Sequence, residues 1–259
     1  MAKTDVTETK GQIPTNLRLL YLLEEVARAG APVAPSVLCE ALDLPKPTVH
    51  RLLTTAEETG FLQRDVDGRS YGPGKRMRRL SINVLSSQRV RTERLRIMKA
   101  LAEDVGETCN LAAPGRDGMV YLDRVETHWP LRIQLPVGTQ VPFHCTASGK
   151  MYLASLRLDR LDRYLHSSDL AAQTENTITD PDQLKAELDA TRRRGYSTDN
   201  GEFMEGMTAI AAPICDDQGR LLTTLSLHAP EQRSTLADLE RGLDRLKQAV
   251  RQLEALALD

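Results

Sequence analysis

The chain has 259 residues, of which 41% are hydrophobic, 27% charged and 4% aromatic. This composition is typical of a soluble globular protein, and the length suits two domains that each bury a core. It excludes a disordered or fibrous chain, and no stretch is apolar for long enough to predict a membrane-spanning helix. The first residues lack the apolar segment of a secretion signal, so we expect a disordered tail over residues 1–13 and a cytoplasmic protein without membrane partners.

The formal net charge of −2 conceals an uneven distribution. Residues 1–90 carry 13 Lys and Arg against 10 Asp and Glu, whereas the remainder carries 21 against 26. Ten basic and three acidic residues fall within residues 60–96. This basic stripe indicates a surface that contacts nucleic acid, although a solvated helix face has the same composition.

The four cysteines are far apart and form no CxxC pair; they are Cys39, Cys109, Cys145 and Cys215. Neither a zinc ribbon nor a dithiol redox motif is indicated, so we interpret them as buried or inert thiols and expect no metal and no cofactor.

Three helices are predicted over residues 15–28, 35–42 and 47–59, with Gly60 ending the third. Apolar residues of the third helix recur at helical spacing, and its other face is polar. A helix, a tight turn and a second helix with a polar exposed face predict a helix-turn-helix, whose second helix enters the major groove. The predicted DNA-contacting residues of this motif are Ser36, Lys46, Thr48, His50, Arg51, Thr54 and Thr55.

A basic hairpin is predicted directly after the third helix. Residues 62–66 and 70–71 form its strands, and Asp67-Gly68 is a dipeptide favoured in tight turns. We predict that this wing places Arg64, Arg69 and Tyr71 along the phosphate backbone or in the minor groove. In this order, the elements predict a winged helix-turn-helix over residues 14–73 that binds double-stranded DNA.

The remaining chain predicts a linker helix at residues 74–90 and a second domain at residues 91–259. A helix is predicted at 91–105, and three strands at 109–113, 119–125 and 131–137. Helices at 148–155, 158–166 and 181–194 follow, then strands at 196–198, 208–215 and 221–227. One long helix begins at Ser234. This order predicts an α+β domain with an antiparallel sheet flanked by helices.

Several segments resemble the isocitrate-lyase-regulator (IclR) family of bacterial transcriptional regulators. The N-terminal matches are TNLRLLYLLEEVA, LPKPTVHRLLTTAEETGFLQRD and YGPGKRMRRL. The C-terminal matches are VGTQVPFHCTASGKMYLA, RRRGYSTDNGEFMEGMTAIAAPI and LSLHAP. The resemblance spans about residues 14–256 and implies a GAF-like domain that binds an effector and oligomerises. It also implies a homodimer or homotetramer, with contacts between N-terminal domains, that acts on a pseudo-palindromic operator, for example as a repressor.

The resemblance implies an effector pocket at Ala147, Ser148, Asp199, Ala209, Ser226 and His228. Some members of the family have Cys and Ser at the positions of Ala209 and His228, so their ligands do not transfer. Ser226 and His228 are two residues apart on a predicted strand and therefore face the same side, with Met204 or Met207 as a pliable lid. An imidazole, neutral or cationic, and a hydroxyl suit a small carboxylate or an aromatic acid. Alternatively, neighbours satisfy His228, and Asp199 is only a turn residue.

Catalysis is the natural rival function, and the sequence argues against it. His144 and Cys145 are adjacent, so an extended segment directs them to opposite faces, and Ser148 lacks the GxSxG context of a nucleophile. No P-loop, GxGxxG or HExxH motif is present. Two functions remain: a regulator whose DNA affinity depends on an effector, or an effector-independent DNA-binding module whose C-terminal domain only oligomerises. The polar cluster of Asp199, Ser226 and His228 favours the effector-dependent regulator.

Overall fold

The computed structural model describes residues 13–65, 67–85, 88–129 and 135–258. Contacts divide the chain between residues 85 and 86 into two compact units. Within these described ranges, no helix is long and apolar enough to cross a membrane.

The first unit contains the predicted helices and hairpin. Its elements are α1 (Arg18–Arg28), α2 (Pro35–Leu42), α3 (Lys46–Glu58), β1 (Leu62–Arg64), β2 (Tyr71–Pro73) and α4 (Lys75–Leu85). Pro35 occupies the first turn of α2, where its missing N–H costs no helical hydrogen bond. The core joins the apolar faces of α1, α2 and α3, among them Leu22, Leu38, Val49 and Leu53.

Two contacts fix the hairpin to the helices of this unit. The segment between α1 and α2 pairs with β2. The Val33 N–H donates to the Tyr71 carbonyl at 2.8 Å, and the Tyr71 N–H donates to the Val33 carbonyl at 2.9 Å. At Gly74, which precedes α4, a Cβ atom would lie 2.4 Å from the Gly60 carbonyl oxygen. Only glycine permits this close approach. The hairpin is therefore a fixed part of the first unit.

The second unit is built on an antiparallel sheet in the order β5-β4-β3-β8-β7-β6. Its strands are β3 (Thr108–Pro114), β4 (Met119–Val125), β5 (Gln140–Val141), β6 (Ser197–Asn200), β7 (Met207–Cys215) and β8 (Leu221–Pro230). Its helices are α5 (Gln88–Val105), α6 (Ala147–Ser155), α7 (Leu158–Ser167), α8 (Pro181–Arg194), α9 (Leu236–Arg241) and α10 (Leu243–Leu258). The predicted α+β class, an antiparallel sheet flanked by helices, is confirmed.

Helices cover both faces of the sheet, and strand alternation assigns residues to each face. Leu111, Ile210 and Leu225 pack in one cluster with apolar residues of α5 and α10. Tyr121 and Ala209 belong to a second cluster, with α6, α7 and α8. Because neighbouring strand residues point to opposite faces, the polar residues between the apolar ones of β8 lie on the α6 side.

Two predicted elements differ in the structure. Residues 131–134 of the predicted strand 131–137 lie outside the described residues, and residues 135–137 are not in a strand; the edge strand is Gln140–Val141. The single terminal helix predicted from Ser234 is instead two helices, divided at Gly242. A Cβ at Gly242 would lie 3.2 Å from the Leu239 carbonyl oxygen and 3.4 Å from a methyl of Val105. The division therefore occurs where the chain passes close to the end of α5.

Candidate functional site

The exposed face of α3 brings most of the predicted helix-turn-helix contacts together. Val49, Leu53 and Ala56 are fully buried in the core. On the outer side Lys46, His50, Arg51, Thr54 and Thr55 are exposed, Thr48 is half-buried, and Ser36 is exposed on α2. The Thr55 hydroxyl donates to the Arg51 carbonyl at 3.0 Å, while no ion pair joins the Arg51 guanidinium to another residue that the structure describes. Arg51 can therefore extend from the helix toward a partner.

The wing is stabilised at its tip by Asp67. Its carboxylate accepts the N–H groups of Arg69 at 2.7 Å and Ser70 at 2.8 Å, which lower its pKa to about 2. Arg69 is exposed at this tip. In contrast, Arg64 pairs with Glu57 of α3, with Nε to Oε1 at 2.8 Å. The two predicted wing arginines therefore differ: Glu57 holds Arg64, and Arg69 projects from the wing.

The prediction that Tyr71 contacts DNA is wrong for its side chain. Tyr71 is 3% exposed and belongs to the core of the first unit. Its backbone pairs with Val33, and the Arg64 guanidinium lies 5.0 Å from its ring centroid. Tyr71 therefore joins the wing to the core of the first unit.

The last arginines of the predicted basic stripe contact the second unit's own sheet. Arg91 and Arg94 of α5 both bind the carboxylate of Asp123, which is fully buried on β4. These two arginines stabilise the second unit, so the stripe of residues 60–96 is not one continuous DNA-contacting surface.

Strand register assembles a polar cluster on the α6 side of the sheet. One transverse row runs from Thr108 through His228 and Ala209 to Asp199. The next row runs from Arg124 through Asn110, Ser226 and Ala211 to Ser197. The Ser197 hydroxyl donates to the Ala147 carbonyl at 2.5 Å, which places the start of α6 beside these rows. The structure thus brings together Ala147, Ser148, Asp199, Ala209, Ser226 and His228.

His228 is a neutral histidine in this cluster. Its Nε2 lies 2.9 Å from the Ser226 hydroxyl oxygen. Burial, and to a smaller extent the nearby positive charge of Arg124, lowers the His228 pKa to about 3. Of the neutral and cationic forms allowed by the sequence, the neutral one is present near pH 7. The positive charge beside His228 is therefore that of Arg124, whose guanidinium also pairs with Glu126.

Asp199 both closes a turn and contributes a perturbed carboxyl group. Its Oδ1 accepts the N–H groups of Glu202 at 2.8 Å and Phe203 at 3.3 Å, so Asp199 does act as a turn residue. Burial, followed by the negative charge of Glu202, raises the Asp199 pKa to about 7. Glu202 itself forms an ion pair with Lys150, which is 1% exposed.

The start of α6 is fixed by its cap and by close packing. The Thr146 hydroxyl accepts the Gly149 N–H at 3.0 Å. A Cβ at Gly149 would lie 2.2 Å from the Phe143 carbonyl oxygen, so a larger residue would displace the helix. These contacts hold Ser148, which is 1% exposed, against the sheet.

Three buried polar atoms of the cluster have no hydrogen-bond partner among the residues that the structure describes. They are the Ser148 hydroxyl, the Nδ2 of Asn110, a residue that is also 1% exposed, and the Oε2 of Glu202. Because buried polar groups in folded proteins are nearly always paired, such atoms indicate a place for a ligand or water. Sequence reasoning identified Ser148 but missed Asn110, Arg124, Lys150 and Glu202. Asn110 had one local signal: it is polar within the apolar strand TCNLAA.

The predicted methionine lid residues lie in the loop between β6 and β7 and at the start of β7. Met204 is 37% exposed in this loop, and Met207 is half-buried at the start of β7. Phe203, the residue before Met204, packs against the core on the α6 side.

The geometry near Cys145 disfavours a nucleophile. Burial raises the pKa of the Cys145 thiol to about 12, and the His144 Nε2 lies 3.0 Å from the Ala171 carbonyl oxygen. A thiol at neutral pH is therefore un-ionised, and the adjacent imidazole is engaged elsewhere.

Comparison with known proteins agrees with both halves of the structure. The family model described as the C-terminal part of the bacterial transcriptional regulator IclR matches residues 82–255, and the model of the IclR helix-turn-helix domain matches residues 17–66. The chain belongs to the IclR family of bacterial transcriptional regulators. As a member of this family, it is a DNA-binding regulator of transcription.

Individual IclR-family proteins show the same similarity. The transcriptional regulator SauR of Cupriavidus necator is 40% identical over 86% of this chain and 88% of its own length. The transcriptional repressor IclR of Escherichia coli is 32% identical over 87% and 83%. A crystal structure of an IclR homolog from Microbacterium hydrocarbonoxydans, complexed with 4-hydroxybenzoate, has a TM-score of 0.60 and 26% identity and covers 94% of this chain and 98% of its own. These relatives are named as regulators or IclR homologs, in agreement with the prediction that this IclR-family chain is not an enzyme.

Proposed function

We propose that this IclR-family regulator binds a pseudo-palindromic operator as a homo-oligomer and that a small organic or aromatic acid changes its operator affinity. One observation supports the effector half of the proposal above all others: the unpartnered Asn110 Nδ2 and Ser148 hydroxyl within one buried polar cluster. A domain that only oligomerises has no need of such atoms in its interior.

The DNA half rests on α3 and the wing. The exposed face of α3 carries Arg51, which can donate two hydrogen bonds to guanine, and the exposed wing tip carries Arg69, which suits a phosphate. A symmetric dimer presents two such helices to two half-sites, which explains why a pseudo-palindromic operator is expected.

The effector half rests on the donors around the polar cluster. Asn110 Nδ2 and the Ser148 hydroxyl offer hydrogen bonds, and the N-terminus of α6 adds a partial positive charge of about half a unit. An acid satisfies all three groups with its oxygen atoms. The Tyr121 ring, edge-on to His228 with centroids 6.3 Å apart, supplies an apolar surface nearby. The 4-hydroxybenzoate in the Microbacterium homolog is an acid of this class.

An effector changes operator affinity only if it binds two arrangements of the protein unequally. The chain offers a route through β4. Arg124 lies on the same side of the sheet as the cluster, whereas the neighbouring Asp123 holds Arg91 and Arg94 of α5. In sequence, α5 follows α4 of the DNA-binding unit after two residues. A displacement of β4 by the effector would therefore be passed to α5, the helix that follows the DNA-binding unit in the sequence.

Two measurements on the full chain test the two halves. Genomic fragments retained by the protein are sequenced, and their retardation is titrated at low ionic strength, where we expect specific complexes. Melting temperatures are then recorded with a panel of small organic and aromatic acids. A ligand of the folded state raises the melting temperature and changes the retardation of the selected fragment.

Each negative result has a distinct meaning. Failure to retard any fragment, with or without acids, contradicts the DNA half. Intact retardation with no thermal shift across the panel contradicts the effector half and favours the effector-independent module.

A further inference from the structure

Asn110 and Arg124 form a pair at one end of the polar cluster. They lie opposite each other on β3 and β4, and Asn110 is in turn opposite Ser226 of β8. Asn110 is 1% exposed, and the Arg124 side chain is 5% exposed. Both therefore belong to the interior of the α6 side of the sheet.

The hydrogen bond between them fixes the orientation of the Asn110 amide. Arg124 Nη1 donates to Asn110 Oδ1 at 3.2 Å. Since a guanidinium only donates, the oxygen must face Arg124, and Nδ2 must point the other way. Nδ2 has no partner among the described residues. The pair thus presents an amide donor, held beside a positive charge, to an incoming acceptor.

The charges at the two ends of the cluster differ. At the Arg124 end, the paired carboxylate of Glu126 is 35% exposed, so water weakens its opposing charge. At the other end, the positive charge of Lys150 is matched by Glu202, and Asp199 adds a second carboxyl group. An anionic group is therefore favoured beside Arg124 and disfavoured beside Asp199.

We propose that Asn110 and Arg124 bind the anionic group of the effector, while Ser148 and Asp199 bind a second, hydrogen-bonding group at its other end. This inference rests on the effector site proposed above and narrows its ligand to a hydroxy acid or a similar acid with two polar ends. Asn110 donates directly to the anion, and Arg124 orients the amide and supplies the charge.

The test uses acids paired with their neutral amides: acetate, lactate, benzoate and 4-hydroxybenzoate, each with the corresponding amide. Dissociation constants are measured by calorimetry on the full-length protein. We expect wild-type protein to prefer at least one acid over its amide by about tenfold or more, because a hydrogen bond to a charged group contributes about 1.5–3 kcal/mol. We expect 4-hydroxybenzoate to bind more tightly than benzoate, and Ser148→Ala to remove that difference.

Variants of Arg124 and Asn110 distinguish the contribution of the guanidinium charge from that of the side-chain amide. Arg124→Gln should abolish the preference for the acid over its amide, and Arg124→Lys should retain part of that preference. Asn110→Ala should weaken binding of the acid by about tenfold. Arg116→Gln, in the exposed β3–β4 turn, serves as the matched arginine control and should leave all constants unchanged. The melting temperature without ligand and the retardation of DNA establish that each variant is folded. If Arg124→Gln does not fold, Arg124→Lys and Asn110→Ala decide the question.

The outcomes distinguish this inference from the proposed function. If acids bind and their preference survives both Arg124→Gln and Asn110→Ala, the anion lies elsewhere; the inference is then wrong, and the effector function stands. If wild-type protein binds acids and amides equally, the inference is also wrong. If it binds no member of the panel but still retards DNA, both the inference and the effector half of the proposed function are overturned.

Discussion

The carboxylate of Asp123, fully buried on β4, forms an ion pair with Arg94 of α5, whose side chain is 6% exposed. Arg91 adds a second contact, with Nε at 2.8 Å from Asp123 Oδ1. The first helix of the second unit is thus attached to the sheet by charges as well as by apolar packing.

Loss of this carboxylate charge should destabilise the second unit. We expect Asp123→Asn to lower the free energy of unfolding by about 3–5 kcal/mol, because the Arg94 charge stays buried without its counterion. Urea denaturation measures the change. Asp117→Asn, at an aspartate with a side chain 74% exposed, is the control and should change stability by less than about 0.5 kcal/mol. Equal stability of the Asp123 variant and the parent protein would show that the ion pair contributes nothing.

The close approach at the start of α6 predicts a second stability effect. In Gly149→Ala, the new Cβ meets the Phe143 carbonyl oxygen at 2.2 Å, so we expect a loss of about 1–3 kcal/mol and a weaker thermal shift with any effector. Gly72→Ala is the comparison, since no atom lies within 4 Å of its Cβ. A Gly149 variant as stable as the Gly72 variant contradicts the packing argument.

Arg51 is expected to read a base. Arg51→Ala should weaken binding to the selected operator by about 1–3 kcal/mol and relax specificity at one position of each half-site. Retardation titrations on the operator and on single-base variants measure both effects. Arg116→Ala, an arginine of the second unit, controls for net charge. Unchanged affinity and specificity in Arg51→Ala would exclude this residue from base recognition.

Arg69 at the wing tip is expected to contact phosphate. Arg69→Ala should weaken binding on all DNA sequences and reduce the slope of log affinity against log salt by about 1. Arg64→Ala is the comparison. Because Arg64 already pairs with Glu57, this substitution should reduce the salt slope less than Arg69→Ala does. An unaltered slope in Arg69→Ala would place that side chain away from the backbone.

Stability without ligand should depend on pH through Asp199. Its pKa of about 7 in the folded state exceeds the usual aspartate value of 3.8, so the folded state retains a proton that the unfolded state loses. Its contribution to stability therefore falls as the pH rises from about 4 to 7. His228, with a pKa lowered to about 3 from 6.5, acts oppositely between pH 3 and 6.5, so the wild-type profile combines the two.

The Asp199→Asn variant isolates the Asp199 contribution. The difference in unfolding free energy, variant minus wild type, should grow between pH 4 and 7 by up to about 4 kcal/mol, at about 1.4 kcal/mol per pH unit. Urea denaturation at several pH values measures it. Asp217→Asn, in an exposed turn, should show a constant difference. A constant difference for Asp199→Asn would mean that Asp199 does not titrate in this range.

The amino-acid sequence alone determined the helix-turn-helix, the wing and the α+β class. These features follow from periodicity, caps and turn residues that lie within a few positions of one another: the apolar stripe of α3, Asp67-Gly68 in the wing, and alternation along β8. The family motifs added the positions from Ala147 to His228.

Only the tertiary structure decided the direction and the partners of individual side chains. It buried Tyr71 through a bridge to Val33, 38 positions away, and turned Arg91 and Arg94 onto Asp123. It also placed Asn110 beside Ser226, 116 positions later in the chain. Strand register sets such neighbours through long-range pairing, which local sequence patterns do not encode.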